Sequence, residues 1–231
     1  MPLFYRYKVD KMEKYPEDLL NFYKLHSVHS YTATRPLYEC WKDSECSHYE
    51  IDFQVDTAAM LVECQQIDHL FVNHRPVDVI GGYSHKGWQS ITLHGLAPNK
   101  TEHYTRYGFT TLEEANYHWT EICEQVPILS NFLKSLPYDM FDRVRIMKLA
   151  PQGYIMPHTD GASRMFGPLN FAINNPTGCD FVFENKGIVP FRAGVGMVLD
   201  VGRRHMVINN SDEYRYHVIV HGHTSNNFNR L

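Results

Sequence analysis

Apolar positions change their period along this chain. Between Glu13 and Leu25, Leu19, Leu20, Phe22, Tyr23 and Leu25 recur at helical spacing and predict a helix with one apolar side. The stretch 26–75 is mixed, with a strand predicted over Ile51–Val55 and a helix over Ala58–Ile67. The glycines of VIGGYSHKG then punctuate the chain before an alternating strand over Trp88–His94. Thr111 with Glu114 three residues on is a capping-box pattern, and it predicts a second helix through TLEEANYHWTEICEQV to a break at Pro127. ILSNFLKSL gives one more short helix.

From Arg143 onward the pattern becomes a succession of short strands: RVRIMKL, YIMPH, LNFAIN, CDFVFE, IVPF, VGMVLDV, HMVIN and RYHVIVH, separated by Gly, Pro and Asn. Short strands at near-regular spacing with no helices between them predict a sandwich or barrel. The expected fold is mainly β with flanking helices: a double-stranded β-helix, the cupin-like jelly-roll. Residues 1–85 are expected to form an N-terminal α/β extension packed on a core made by 86–231, the two together making one structural unit.

Composition narrows the function classes. The formal charge is −4 and there is no polybasic block, so the chain carries no nucleic-acid signature. Five scattered cysteines without a C-x-x-C pair argue against both a disulfide framework and a zinc-thiolate site. No apolar run approaches the roughly 18 residues of a membrane span, and the N-terminus lacks the apolar centre of a signal peptide. A cytoplasmic, reducing compartment is expected. The count that stands out is 14 histidines, because imidazole is the common metal ligand.

Histidine, aspartate and arginine then fall into a pattern within the β-rich half. His158 and Asp160 sit at i and i+2, His205 follows 45 residues after Asp160, and Arg215 ten later. Residues at i and i+2 of a strand share a face, and one more imidazole completes two His and one carboxylate on one side of an octahedral ion. The H-x-[DE] pair alone carries little weight: about 1.6 matches are expected by chance here, and His48-Tyr49-Glu50 is a second one. His48 lacks the strand array and the downstream basic partner that surround His158. Arg215 opens a strand that should be buried, and a buried guanidinium needs an anion. The distal carboxylate of 2-oxoglutarate fits its bidentate fork; an internal pair with Glu213 or Asp200 is the alternative.

YIMPHTDG followed by PLNFAINNPTGCDFVFENKGIVPFRAGVGMVLDVGRRHMVINNSDEYRYHVIVHG resembles the aspartyl/asparaginyl β-hydroxylase family, in particular its stand-alone phage and bacterial members. The resemblance runs from about Trp88 to Gly222. It implies iron ligation by His158 and His205, 2-oxoglutarate held by Arg215, and O2 as the oxidant. Asp160 is a departure from the animal aspartyl hydroxylases, which lack this carboxylate. With it, the chain resembles the ordinary triad enzymes, including the related free-proline hydroxylases. The implied reaction hydroxylates an amino acid or a peptidyl Asp, Asn or Pro residue, with succinate and CO2 as coproducts. The partner is therefore a small-molecule or peptide substrate.

Other residues are candidates for the same pocket. Arg145, in line with Arg143 and Met147, faces the cavity and binds a cosubstrate carboxylate, or else forms a surface pair. Asn170 and Asn174 share strand parity, Asn170 toward the cosubstrate and Asn174 toward the substrate, unless Asn174 serves a turn before Pro176. Trp88 walls the substrate pocket or is simply core. His217, His221 and His223 spread too far along a strand for one ion and read as packed or exposed histidines. Two rival classes stay open: a cupin-like metal-binding jelly-roll that does not use 2-oxoglutarate, and a non-catalytic binding module.

Overall fold

RVRIMKL and YIMPH, separate by pattern, are the two arms of one bent strand. This is seen in a computed structural model that describes residues 14–27, 45–75, 84–161 and 166–225. The expected helix start at Glu13 and the Gly81–Gly82 turn lie outside the described residues. The elements are α1 (Glu17–His26), β1 (His48–Asp52), α2 (Ala58–Gln66), β2 (Val72–Asn73), β3 (His85–Gly95), α3 (Leu112–Ala115), β4 (His118–Trp119), α4 (Ile122–Gln125), α5 (Pro127–Ser135) and β5 (Tyr138–His158). β6 (Phe166–Ala172), β7 (Cys179–Phe183), β8 (Gly187–Ile188), β9 (Val195–Asp200), β10 (His205–Asn209) and β11 (Arg215–Thr224) follow.

The first arm of β5 pairs with β11, opposing Arg145 to Ile219 and Leu149 to Arg215. Its second arm pairs with β10, opposing His158 to His205. One strand thus serves two sheets, β5–β11–β6–β9 and β5–β10–β7–β8, and β1 extends the first beyond β9. This is the connectivity of a double-stranded β-helix. Alternation then sorts the side chains. Met147, Leu149, Phe181, Phe183, Met197, Leu199 and Val207 meet between the sheets. Val144, Ile146, Phe171, Val218 and Val220 point outward from the larger sheet against Met60, Cys64, Leu129 and Leu133 of the helices. Leu19 and Phe22 of α1 cover Val182, Met206 and Ile208 on the back of the smaller sheet.

The bend itself is built from particular residues. Gln152 has φ 59°, and a Cβ on Gly153 would fall 2.7 Å from the Ala150 carbonyl oxygen and 2.8 Å from that of Lys86, so only glycine fits. The carbonyls that leave the ladder there need donors. The amide nitrogen of Asn209, fully buried, lies 3.2 Å from the Leu149 oxygen, 3.0 Å from that of Ala150 and 2.8 Å from that of Glu213. Its Oδ1 accepts from the Ser211 N–H and hydroxyl. Asn209 therefore ties the bend of β5 to the β10–β11 turn.

The structure also corrects other expected elements: the strand expected over Ile51–Val55 runs His48–Asp52 instead. The capping box at Thr111 and Glu114 forms, yet the helix lasts one turn, because Asn116 turns left-handed at φ 47° and His118–Trp119 pair with His94–Gly95. Of IVPF only Ile188 lies in a strand, the two-residue β8, since Pro190 cannot donate to a ladder. No helix among the described residues is long and apolar enough to cross a membrane. The four described cysteines are all free and buried.

Replacing Asn209 with Ala should lower stability by roughly 1–3 kcal/mol, because buried carbonyls lose their donor. Asn209→Asp should cost at least as much, since a carboxylate cannot donate. Chemical denaturation of both variants checks this; an Asp variant as stable as the parent would refute the role given to the amide.

Candidate metal centre and its cavity

A bulge turns His158 toward the space between the sheets. His205 opposes His158 and Val207 opposes Ile155, so three steps along β5 match two along β10. Ile155 faces inward, and simple alternation would send His158 out; the extra residue, in the segment that holds Pro157, reverses it. The two imidazoles then lie 4.3 Å apart, centroid to centroid. Asp160, just past the strand, is anchored by its N–H donating to the Val201 carbonyl at 3.0 Å. Its two carboxylate oxygens sit 3.7 Å from Nε2 of His158 and of His205 respectively.

The donor set suits a divalent transition metal. Nδ1 of His158 lies 2.7 Å from the Met156 carbonyl oxygen and Nδ1 of His205 2.8 Å from that of Arg203. A carbonyl only accepts, so both Nδ1 atoms carry the proton and both Nε2 lone pairs face the gap. Burial and the neighbouring His158 push the His205 pKa down to about 4, which keeps it neutral and able to ligate. Burial works to raise the Asp160 pKa, but His158, His205 and Arg75 outweigh it and hold the carboxylate well below its usual range. Phe181 stacks on the His205 ring at 4.9 Å and 12°. Among the described residues this is the one group of three His, Cys, Asp or Glu side chains close enough to share an ion. The other H-x-[DE] pair does not compete. His48 is buried rather than solvated, and Glu50 is taken by Arg192 at 2.7 Å.

The triad opens on a cavity of about 890 Å³, at the upper end of the range for ligand pockets. Arg215 lines one end of it, 8% exposed, with its guanidinium 5.3 Å from the Phe191 ring. Its Nε donates to Nε2 of His217 at 2.9 Å and to Oδ1 of Asn175 at 3.3 Å, and Nη2 lies 2.7 Å from Nδ1 of His217. Neither Glu213 nor Asp200 pairs with it: Asp200 holds Arg203 at 3.0 Å, and no carboxylate of the described residues comes within ion-pair distance of Arg215. Burial and Arg215 press the His217 pKa far down, so this imidazole is a neutral neighbour that leaves the arginine charge uncompensated.

Asn170 lies in the cavity wall, its amide nitrogen 3.3 Å from the Pro168 oxygen. Trp88 also walls the cavity, 4.3 Å from the His74 ring. Arg145 is inside it, 6% exposed, rather than in a surface pair. Asn174 is elsewhere. β6 ends at Ala172, so parity no longer applies two residues on. Its side chain instead accepts from the Tyr216 N–H at 2.6 Å and donates to the Tyr214 carbonyl at 2.9 Å, outside the cavity.

His74, His217, His221 and His223 also line the cavity, which nothing in their spacing for a shared ion had indicated. His217 and His221 share parity with Arg215, a signal that was available once Arg215 was placed. His74 comes from the loop after β2 and has no periodicity to betray it.

A profile of the family described as Aspartyl/Asparaginyl beta-hydroxylase matches residues 61–223. No curated protein matches the chain in sequence. Among solved structures, a 2OG-Fe(II) oxygenase family oxidoreductase from Burkholderia pseudomallei aligns at 14% identity and TM-score 0.46, over 86% of this chain and 97% of that one. A Pseudomonas putida prolyl-4-hydroxylase aligns at 12% and 0.45, over 81% and 98%. A Trichoplax adhaerens prolyl hydroxylase, solved with a hypoxia inducible factor peptide fragment, aligns at 11% and 0.49, over 80% and 86%.

Removing one ligand of the triad should weaken metal binding by more than roughly 100-fold, the upper end for loss of a mere outer-sphere partner. Metal content after dialysis against Co(II), a stand-in ion, measures this for His158→Ala, Asp160→Ala and His205→Ala. His48→Ala is the control, and loss of metal there with retention in His205→Ala would reverse the assignment.

Proposed function

This chain belongs to the aspartyl/asparaginyl β-hydroxylase family and is an iron(II)- and 2-oxoglutarate-dependent oxygenase, and from that premise we propose that His158, Asp160 and His205 hold the iron while Arg215 binds the far carboxylate of 2-oxoglutarate. One observation carries the reading. A two-histidine, one-carboxylate group and a buried arginine without a carboxylate partner among the described residues line one cavity. Iron with 2-oxoglutarate and O2 supplies the chemistry: the 2-oxo acid is cleaved to succinate and CO2, and a substrate C–H becomes C–OH.

The protein's own residues prepare this. The Met156 and Arg203 carbonyls fix both imidazoles with Nε2 toward the ion. Asp160 stays ionised as the anionic ligand. Phe181, in the cavity wall, stacks on His205 at 4.9 Å and meets Phe191 at 6.2 Å, which in turn lies 5.3 Å from the Arg215 guanidinium, so an apolar link joins the triad to the arginine. Asn170 supports the cosubstrate and Trp88 the substrate. The substrate is an amino acid, free or as a peptidyl Asp, Asn or Pro residue, and the setting is a reducing cytoplasm that keeps iron ferrous.

Anaerobic addition of Fe(II) and 2-oxoglutarate should give a weak visible charge-transfer band, and oxygen should then yield succinate. Arg215→Gln should raise the 2-oxoglutarate dissociation constant by roughly 30-fold or more while leaving metal content unchanged. Unaltered 2-oxoglutarate affinity in that variant would remove Arg215 from the site.

A further inference from the structure

A second buried arginine in the cavity has no carboxylate within ion-pair distance among the described residues. Nη1 of Arg145 donates to the Thr101 carbonyl at 2.8 Å and lies 3.4 Å from Nε2 of His74; Nη2 lies 3.2 Å from Nε2 of His221. Its Nε has no hydrogen-bond partner. Glu102 and Asp142 are the acids whose charge reaches it, but neither is within ion-pair distance, and no other described carboxylate is. Arg143 and Arg75 line the same cavity and add positive charge. Together with burial they push the Arg145 pKa down to about 9, the mark of a cation held where cations are disfavoured. His74 and His221 are kept neutral by burial and by Arg145, so they orient the guanidinium without neutralising it.

This group is not the cosubstrate anchor. Arg145 opposes Ile219, four residues along β11 from Arg215, a separation of roughly 13 Å. The two guanidinium groups share no neighbour: Arg215 touches His217, Asn175 and Phe191, whereas Arg145 touches His74, Thr101 and His221. A five-carbon diacid spans roughly 7 Å, about the length of two extended residues and half that backbone separation. The charge of Asp160 is felt at His221, so the Arg145 group borders the triad on its own side.

Resting on the oxygenase reading, we propose that Arg145, oriented by His74 and His221, is a second anion subsite that takes a carboxylate of the substrate, so that the substrate is an amino acid or amino-acid residue presenting a free acid rather than its amide. A planar guanidinium buried beside two neutral imidazoles accepts a carboxylate bidentately and gains nothing comparable from a carboxamide. Of the substrates open to the family reading, a free amino acid through its α-carboxylate and an aspartyl side chain fit this subsite; an asparaginyl side chain does not.

The test uses the anaerobic Fe(II)–2-oxoglutarate complex of the full chain and matched probes: L-proline with L-prolinamide, L-aspartate with L-asparagine amide, and N-acetyl-L-aspartate with N-acetyl-L-asparagine. Binding is read both from the shift of the visible band and from the thermal midpoint. At least one acid should shift both, with its amide partner weaker by roughly 30-fold or more. Arg145→Met should abolish that response, bind 2-oxoglutarate as tightly as the parent, and melt no lower, because it removes an uncompensated buried charge. Arg145→Lys should restore part of the acid binding. Amides that bind as well as acids, or a panel in which no acid acts, overturn the proposal. Loss of 2-oxoglutarate affinity in Arg145→Met moves the residue to the cosubstrate site, and a clearly lower melting point makes it structural; either result overturns it too. If the parent shows no visible band at all, the oxygenase reading fails first and takes this inference with it.

Discussion

Everything in this molecule hangs on a strand that changes sheets. A polypeptide that leaves one ladder for another exposes carbonyls in a place water does not reach, and such groups are costly unless something donates to them. Gly153 allows the close approach, and Asn209 supplies the donors. With those two requirements met, the arms of β5 lie in facing sheets. Residues far apart on the strand, Arg145 on the first arm and His158 on the second, then line one cavity. The bulge near Pro157 completes the arrangement by setting the phase of the second arm, without which His158 would face α1 instead of His205.

The cavity's electrostatics follow from an economy of residue types. Among the described residues two arginines are buried, and in each case imidazole nitrogens occupy the positions where carboxylates would ordinarily sit. A carboxylate would fix the guanidinium and cancel it. A neutral histidine fixes it and leaves its field available to a ligand, at the expense of a buried charge in the empty protein. Low dielectric inside the barrel, which makes that charge unfavourable, also strengthens its attraction for an arriving anion.

Much of this was legible beforehand, and for identifiable reasons. Alternation in RYHVIVH and HMVIN located the strands, because side-chain direction in a strand is a local property; the i, i+2 spacing named His158 and Asp160, yet a bulge sets the direction of the first and the second lies just past the strand. Whether Arg215 had an internal partner was not local: only the fold shows Asp200 engaged with Arg203 instead. The helix expected from Thr111 failed after one turn because its capping box says where a helix begins and not how far it runs; the pairing of His118–Trp119 with His94–Gly95 decided that from across the sheet. Asn174 failed for a similar reason, its parity lapsing where β6 stops. His74 was invisible because a loop has no period to place it.

Along β11 the burial changes steadily. Arg215 and His217 are enclosed, His221 is half-covered, and Gly222, His223 and Thr224 are open to solvent. With 2-oxoglutarate on Arg215, as proposed above, the anchor lies at the enclosed end of a strand whose other end is open, and position along β11 becomes an order in time as well as in space. On that reading a substrate seated above the cosubstrate would enter after it and leave before it, and a tightly held product would slow the loss of succinate beneath it.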